Sequence, residues 1–307
     1  MRLDRRKFLQ AAVAGASGAM LARRGLAAPP VRSTDPFQLV PLGTTDLRVS
    51  LIGAGTGMRG HNRSSNQTRM GAEKFESLLR YAYDKGIRLF DLADIYGSHP
   101  YLARALADKP REDYVLISKV WVRPGGLPEE ERPDADVVVD RFRQELDTDY
   151  IDLVQIHCMT DEDWTDNQRR QMDILEDLKQ RGVIRAHGVS IHSLPALKRS
   201  ASDPWVDVVH TRINPYGDSM DDKDPSVVTP VIGAIHEAGK GVIGMKLIGE
   251  GRYREDPAKR DEAIRYVLGL GTVDTMIVGF EKPEEIHDFA TRVESALEEA
   301  AAAEADK

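Results

Sequence analysis

FDLADIYG, residues 90–97, is the stretch on which the fold turns. Leu89 and Phe90 run into Asp91; five positions on comes Tyr96, followed at once by Gly97. A strand buried on both faces has no use for a terminal carboxylate, whereas a catalytic rim has. Working outward, other apolar runs also finish on polar groups. YVLISK ends on Lys119, IDLVQIH on His157 and HGVS on Ser190. Apolar runs at 49–54, 88–91, 114–119, 151–157, 186–190, 206–213, 242–246 and 275–279 alternate with helix-period segments. These segments lie at 72–85, 99–107, 135–146, 166–181, 194–200, 225–238, 259–268 and 283–302. Eight strands alternating with eight helices predict a parallel α/β architecture, a (β/α)8 TIM barrel over 49–302. A lead-in at 29–48 and a frayed tail at 303–307 flank it. The rival is a doubly wound sheet, for which Gly53-Ala54-Gly55-Thr56-Gly57 supplies a glycine-rich turn. The polar stretch 58–69 follows that turn where a helix should start, so the fingerprint fails its context.

In a (β/α)8 barrel the strands deliver their C-terminal residues to one mouth. Asp91, Tyr96, Lys119, His157 and Ser190 would converge there. A tyrosine with an ordinary pKa of about 10 is a poor acid near neutrality, and an adjacent ammonium lowers that value. Lys119 is placed to do so, with Asp91 holding it charged and aimed. His157 would donate a hydrogen bond to a carbonyl oxygen beside Tyr96. The set reads as a proton donor for a carbonyl that receives hydride from a cofactor. Each residue has a plainer role open to it: Asp91 as a helix cap, Tyr96 as a rim aromatic, Lys119 as a solvated strand end, His157 as a core histidine.

Composition bounds the partners. The 307 residues are 41% hydrophobic and 30% charged, as in ordinary globular chains. The first 28 residues carry six Lys/Arg against one acid, which leaves −13 on the remainder of a chain whose formal charge is −8. An acidic body argues against nucleic-acid binding and against docking on anionic lipid. The single cysteine, Cys158, excludes an internal disulfide and a cysteine-based metal site. Residues 1–28 have the order of a signal peptide: charge, a mild apolar run over 8–22, then small residues before Pro29. Arg5-Arg6-Lys7-Phe8-Leu9 is similar to the twin-arginine export motif. That implies export machinery as a partner, folding in the cytoplasm before export, a periplasmic destination and no stable membrane anchor.

GIRLFDLADIYG, VLISK, DLVQIH and GVIRAHGVS, in this order and spacing, resemble the aldo-keto reductase superfamily. The resemblance runs from VSLIGAGTGM to IVGFEKPEEI. It implies an oxidoreductase that moves hydride between a nicotinamide cofactor, NAD(H) or NADP(H), and a small carbonyl or alcohol. The family's tetrad falls on Asp91, Tyr96, Lys119 and His157. Tyr96 is implied as general acid/base, Lys119 and Asp91 as its tuners, and His157 as the carbonyl-orienting group. Ser190 matches the serine that holds the carboxamide, and Gly55-Thr56 the first-strand turn beneath the nicotinamide.

The departures lie in cofactor binding. Ile191 replaces an Asn, His210 stands where the family has Gln, and Met245 replaces an aromatic beneath the ring. Lys246 beside it is either a pyrophosphate contact or a solvated lysine. Gly279, Phe280, Glu285 and Phe289 occupy the positions of the Lys, Ser, Arg and Asn that clamp a 2′-phosphate and adenine. Lys282 stays as a point charge, whereas Glu281 or Glu285 would bond a 2′-hydroxyl or lie on the solvated face. Loops at 58–70, 120–133, 159–169 and 216–225 are left to shape specificity, with Trp121 and Trp164 as candidate substrate walls. A barrel that keeps the scaffold and serves only for binding is the alternative function.

Overall fold

The apolar run after residue 47 folds as two elements, where the sequence predicts one. Strand β1 (Leu39–Pro41) pairs antiparallel with β2 (Arg48–Ser50), Val40 opposite Val49. After Leu51 the chain turns into β3 (Ile52–Gly55), the first strand of the barrel. The hairpin explains the apolarity of residues 47–51. Leu42, Leu47 and Val49 are buried against Leu89, Val115, Leu153, Val208, Ile243 and Ile277, so they plug the N-terminal end of the barrel. Each fully buried aliphatic side chain there contributes about 1.5–3 kcal/mol. The computed structural model describes residues 33–305; the expected signal segment at 1–28 and the last two residues lie outside them.

Seven further strands follow: β4 (Leu89–Asp91), β5 (Val115–Val120), β6 (Ile151–Met159), β7 (Ile184–Ile191), β8 (Val208–Arg212), β9 (Gly241–Met245) and β10 (Thr275–Val278). With β3 they close an eight-stranded parallel barrel in sequence order, β10 pairing back onto β3. Helices on the outer face are α1 (Ala72–Lys85), α2 (His99–Ala105), α3 (Ala135–Leu146), α4 (Trp164–Asn167), α5 (Arg169–Gln180), α6 (Leu194–Ser202), α7 (Pro225–Glu237), α8 (Pro257–Leu270) and α9 (Pro283–Ala305). The expected helix over 166–181 is thus two helices with a break at Gln168. Trp164 is buried beside Trp205, 6.5 Å between centroids, and pins the first piece. It is a core residue and not a substrate wall. Helix α9 continues to Ala305, past the expected end at 302.

The register sets the mouth. Gly55 lies beside Asp91 and Ser190 beside His210. Strand β6 runs through His157, then shifts register before Met159, with Cys158 at φ 65°. No helix among the described residues is long and apolar enough to cross a membrane.

Candidate active site

Tyr96 is delivered by a tight turn that the surrounding loops over-determine. After extended Ala93 the chain makes a single 3-10 turn, Asp94–Tyr96, and leaves through Gly97 in the left-handed region at φ 65°. A Cβ on Gly97 would lie 2.0 Å from the Arg63 carbonyl oxygen, so the turn requires glycine. The loop after β3 passes just as close to the phenol: a Cβ on Gly57 would sit 2.1 Å from Tyr96 Cζ. Asp94 is buried and accepts from Arg63 Nε at 3.1 Å and Arg141 Nη2 at 2.8 Å. Arg141 also pairs with Glu145, Glu145 with His99 Nδ1 at 2.8 Å, and His99 Nε2 with Ser118 Oγ at 2.8 Å. This chain of polar contacts ties the tyrosine turn to the residue before Lys119. Sequence reading missed Arg63, Asp94 and Arg141 and left His99 without a role. Asp94 lies inside the quoted motif, but its partners come from elements 31 and 47 residues away.

The structure brings Asp91, Tyr96, Lys119 and His157 together. Lys119 Nζ donates to Asp91 Oδ1 and, at 2.9 Å, to the Leu92 carbonyl. The same nitrogen sits 5.2 Å from the Tyr96 ring centroid. Tyr96 OH lies 3.5 Å from His157 Nε2, the rings edge to face. The Trp121 ring packs edge-on against His157 at 5.2 Å. Burial pushes the Asp91 carboxyl up and the Lys119 ammonium down, and each charge opposes the other's shift.

The expected lowering of the Tyr96 phenol does not hold. Burial, then the charge of Asp91, carries it well above its ordinary value. Two of the three Lys119 ammonium protons go to Asp91 and the Leu92 carbonyl, and the buried phenol stays protonated. Burial, followed by the charge of Lys119, pushes His157 well below the usual imidazole range, and His210 likewise. Burial, then Arg212, takes His192 down to about 3. Below the ordinary imidazole value of about 6.5 the unfolded chain therefore binds more protons than the native one. Stability is fully present above that value and is lost as pH falls toward the folded values. Each of the three imidazoles is expected to cost about 1.4 kcal/mol per pH unit below 6.5. Urea midpoints at pH 7.5 and 5.5 check this, and equal midpoints would refute it.

Gly55, Met58, Tyr96, His210, Met245 and Lys246 line a cleft at this end of the barrel. Ser190 Oγ and His210 Nε2 are buried polar atoms without a protein partner. Thr56 differs from expectation: it is buried, with its hydroxyl bonded to the Asp91 carbonyl at 2.8 Å and to Ser98 at 2.7 Å. It braces β4 and does not line the cleft. Lys246, at φ 64°, faces the cleft but is ion-paired with Glu250. Glu281 accepts from Asn66 Nδ2 at 2.7 Å and Arg254 Nη1 at 2.9 Å, and Arg254 Nε donates to Glu285 at 3.1 Å. Glu285 is thus neither solvated nor free, and the guanidinium that meets it went unseen in the sequence. Lys282 is exposed, and Phe289 is core, packed on Phe280 at 6.0 Å.

Residues 51–263 match the aldo/keto reductase family model. An uncharacterized oxidoreductase of Bacillus subtilis is 32% identical over 156 residues, 48% of this chain and 47% of that protein. A D-threo-aldose 1-dehydrogenase of a Pseudomonas species is 25% identical over 71% of this chain and 68% of its own length. An NADH-specific methylglyoxal reductase of Escherichia coli is 30% identical over 49% and 51%. The match therefore spans about half to two thirds of these curated relatives. Among solved structures, a putative aldo-keto reductase from Pseudomonas aeruginosa superposes with TM-score 0.68 at 26% identity, covering 87% of this chain and 98% of that one. With the family model covering most of the barrel, and the barrel itself closed in the same topology, the chain belongs to the aldo/keto reductase family.

Proposed function

We propose that the protein is an NAD(P)-dependent oxidoreductase that interconverts a small carbonyl compound and its alcohol, with Tyr96 as the proton donor. One observation carries the reading: a protonated phenol, 3.5 Å from a neutral His157 imidazole, stands at the wall of the cleft beside a buried Lys119–Asp91 pair. The residues present fit a nicotinamide dinucleotide, because Ser190 Oγ and His210 Nε2 lack partners where a carboxamide would bind. When bound, that cofactor supplies the hydride. The chain does the rest. Tyr96 holds a proton at Oη and gives it to the carbonyl oxygen as negative charge develops there. His157 Nε2 orients that oxygen. Lys119, fixed by Asp91 and the Leu92 carbonyl, keeps positive charge near the phenol. Reduction is expected to hold its plateau to pH 10, because the phenol stays protonated across that range.

The paired carboxylates around Arg254 support preference for NADH. A 2′-phosphate would approach Glu281 and Glu285, with the Arg254 guanidinium already bonded to both. The NADH-specific relative is consistent with this. Fluorescence quenching of the purified protein tests it: NADH is expected to bind at least about tenfold more tightly than NADPH. The reverse ratio would mean that Arg254 leaves the carboxylates for the phosphate. No binding of either at millimolar concentration would overturn the oxidoreductase reading in favour of a binding barrel. The segment at 1–28 supports export after folding, with cofactor loaded beforehand. Native mass spectrometry of protein from a periplasmic fraction tests this: a mature chain carrying nucleotide is expected, and an intact N-terminus found only in the cytoplasm would refute it.

A further inference from the structure

Four arginines around the tyrosine turn and the cofactor loops are held by carboxylates: Arg63 and Arg141 by Asp94, Arg212 by Asp221, Arg254 by Glu281 and Glu285. Arg69 is exposed and bonds Ser64 and Asn66, and Arg132 spends its donors on backbone carbonyls. Arg123 belongs with neither group. Among the described residues no carboxylate lies within ion-pair distance of it. Its Nη1 donates to the Cys158 carbonyl at 2.9 Å, to Thr160 Oγ1 at 3.3 Å and to Cys158 Sγ at 3.5 Å. The donors on Nε and Nη2 find no protein acceptor among the described residues. Arg123 is half-buried, so this charge is neither fully solvated nor neutralised.

The setting is built. Arg132 Nε donates to the Arg123 carbonyl at 2.8 Å and its Nη2 to Gly125 O at 2.6 Å, while Trp121 Nε1 donates to the same Gly125 oxygen at 2.6 Å. The loop is thereby clamped, with the Trp121 ring on His157 and the Arg123 guanidinium on the next residue, Cys158. Cys158 holds a left-handed backbone at φ 65° inside the register shift of β6. For a non-glycine residue such a conformation carries strain that clusters at working sites. Burial chiefly depresses His192, helped by Arg212, Lys246 and Arg123 and opposed by Glu250, so these charges lie near one imidazole. Arg212 and Lys246 have their acids there; Arg123 does not.

We propose that Arg123 binds an oxyanion of the substrate, and that the carbonyl compounds this cleft prefers carry a carboxylate or phosphate close to the reacting carbon. This rests on the reductase reading and deepens it. A guanidinium fork with free donors matches a carboxylate or phosphate edge and is a poor partner for a neutral aldehyde. An anion held at Arg123 would sit beside the end of β6, leaving the carbonyl to His157 and Tyr96.

Steady-state kinetics with matched pairs test it: a 2-oxo acid against its methyl ester, and glyceraldehyde 3-phosphate against glyceraldehyde. The wild-type protein is expected to favour the anionic member of at least one pair by about 10- to 100-fold in kcat/KM, the worth of a charged hydrogen bond. Which pair responds separates carboxylate from phosphate. Arg123→Gln is expected to erase that preference through KM for the anion, with the neutral member within twofold, and Arg123→Lys to keep part of it. Equal use of acid, phosphate and neutral partner by the wild-type protein would overturn the inference and leave the reductase reading standing. So would an Arg123→Gln protein that loses both members of a pair alike, which marks a structural arginine. Absence of turnover on every carbonyl, with no nicotinamide binding, would overturn both.

Discussion

Tyr96→Phe is expected to lower carbonyl turnover by about 10²- to 10⁴-fold, the range lost with a positioned general acid. Binding of the nicotinamide cofactor should stay within twofold of wild type. The substitution is sharp because it removes one oxygen and leaves the packing alone. The ring of Tyr96 touches Gly57 and faces His157 edge-on, and phenylalanine keeps both contacts. The bond it forfeits, from the hydroxyl to His157 Nε2, is long at 3.5 Å and worth little to the fold. Stability should therefore change by less than about 1 kcal/mol. Any large loss of rate is then a loss of proton transfer rather than of structure. Comparison of kcat with cofactor Kd separates the two. A Phe variant that reduces aldehydes at near wild-type rate would remove Tyr96 from the chemistry and return the protein to the binding-barrel alternative.

The parts of this site that were legible in the sequence are those fixed by short-range pattern. Asp91, Lys119, His157 and Ser190 each end an apolar run, and a parallel barrel brings such ends to one mouth. The β1–β2 hairpin was not legible, because its strands have three residues each and its apolar positions merge with the next run. The partner of Glu285 was not legible either. Arg254 lies 31 positions away on the loop before α8, and only the closed barrel brings that loop to the first turn of α9. Trp164 looked like a rim aromatic because it sits in a polar, acidic stretch, yet helix α4 turns it into the core. The direction of the Tyr96 shift failed for a related reason. Proximity to Lys119 was correctly foreseen, but burial of the phenol and the prior claim of Asp91 on the ammonium are properties of the packed site. Chemistry type is written in residue identity; the balance of opposing electrostatic effects is written in depth and partner choice.

That balance predicts a large stability effect. Lys119→Met is expected to cost about 3–5 kcal/mol, since it strands a buried carboxylate without its cation. Methionine fills most of the space of the lysine stem, so little of the cost is cavity. The cost should depend on pH, and its sign follows from Asp91. Burial already pushes that carboxyl up with Lys119 present. Without the ammonium the charge of Lys246 is left to oppose the shift, its effect ranking below that of Lys119, while burial holds the His210 imidazole, at 3.8 Å, neutral. The native variant then keeps a proton that the unfolded chain releases above the ordinary aspartate value of about 4. A group with a raised folded pKa loses stability as pH rises through that window. The deficit of Lys119→Met relative to wild type should accordingly grow from pH 5 to pH 8. Asp91→Asn added to Lys119→Met should remove the pH-dependent part, because the stranded group can no longer ionise. Urea denaturation of the three proteins at both pH values measures this directly. A deficit equal at pH 5 and pH 8 would show that the ammonium is needed for its bond to the Leu92 carbonyl and not to neutralise Asp91.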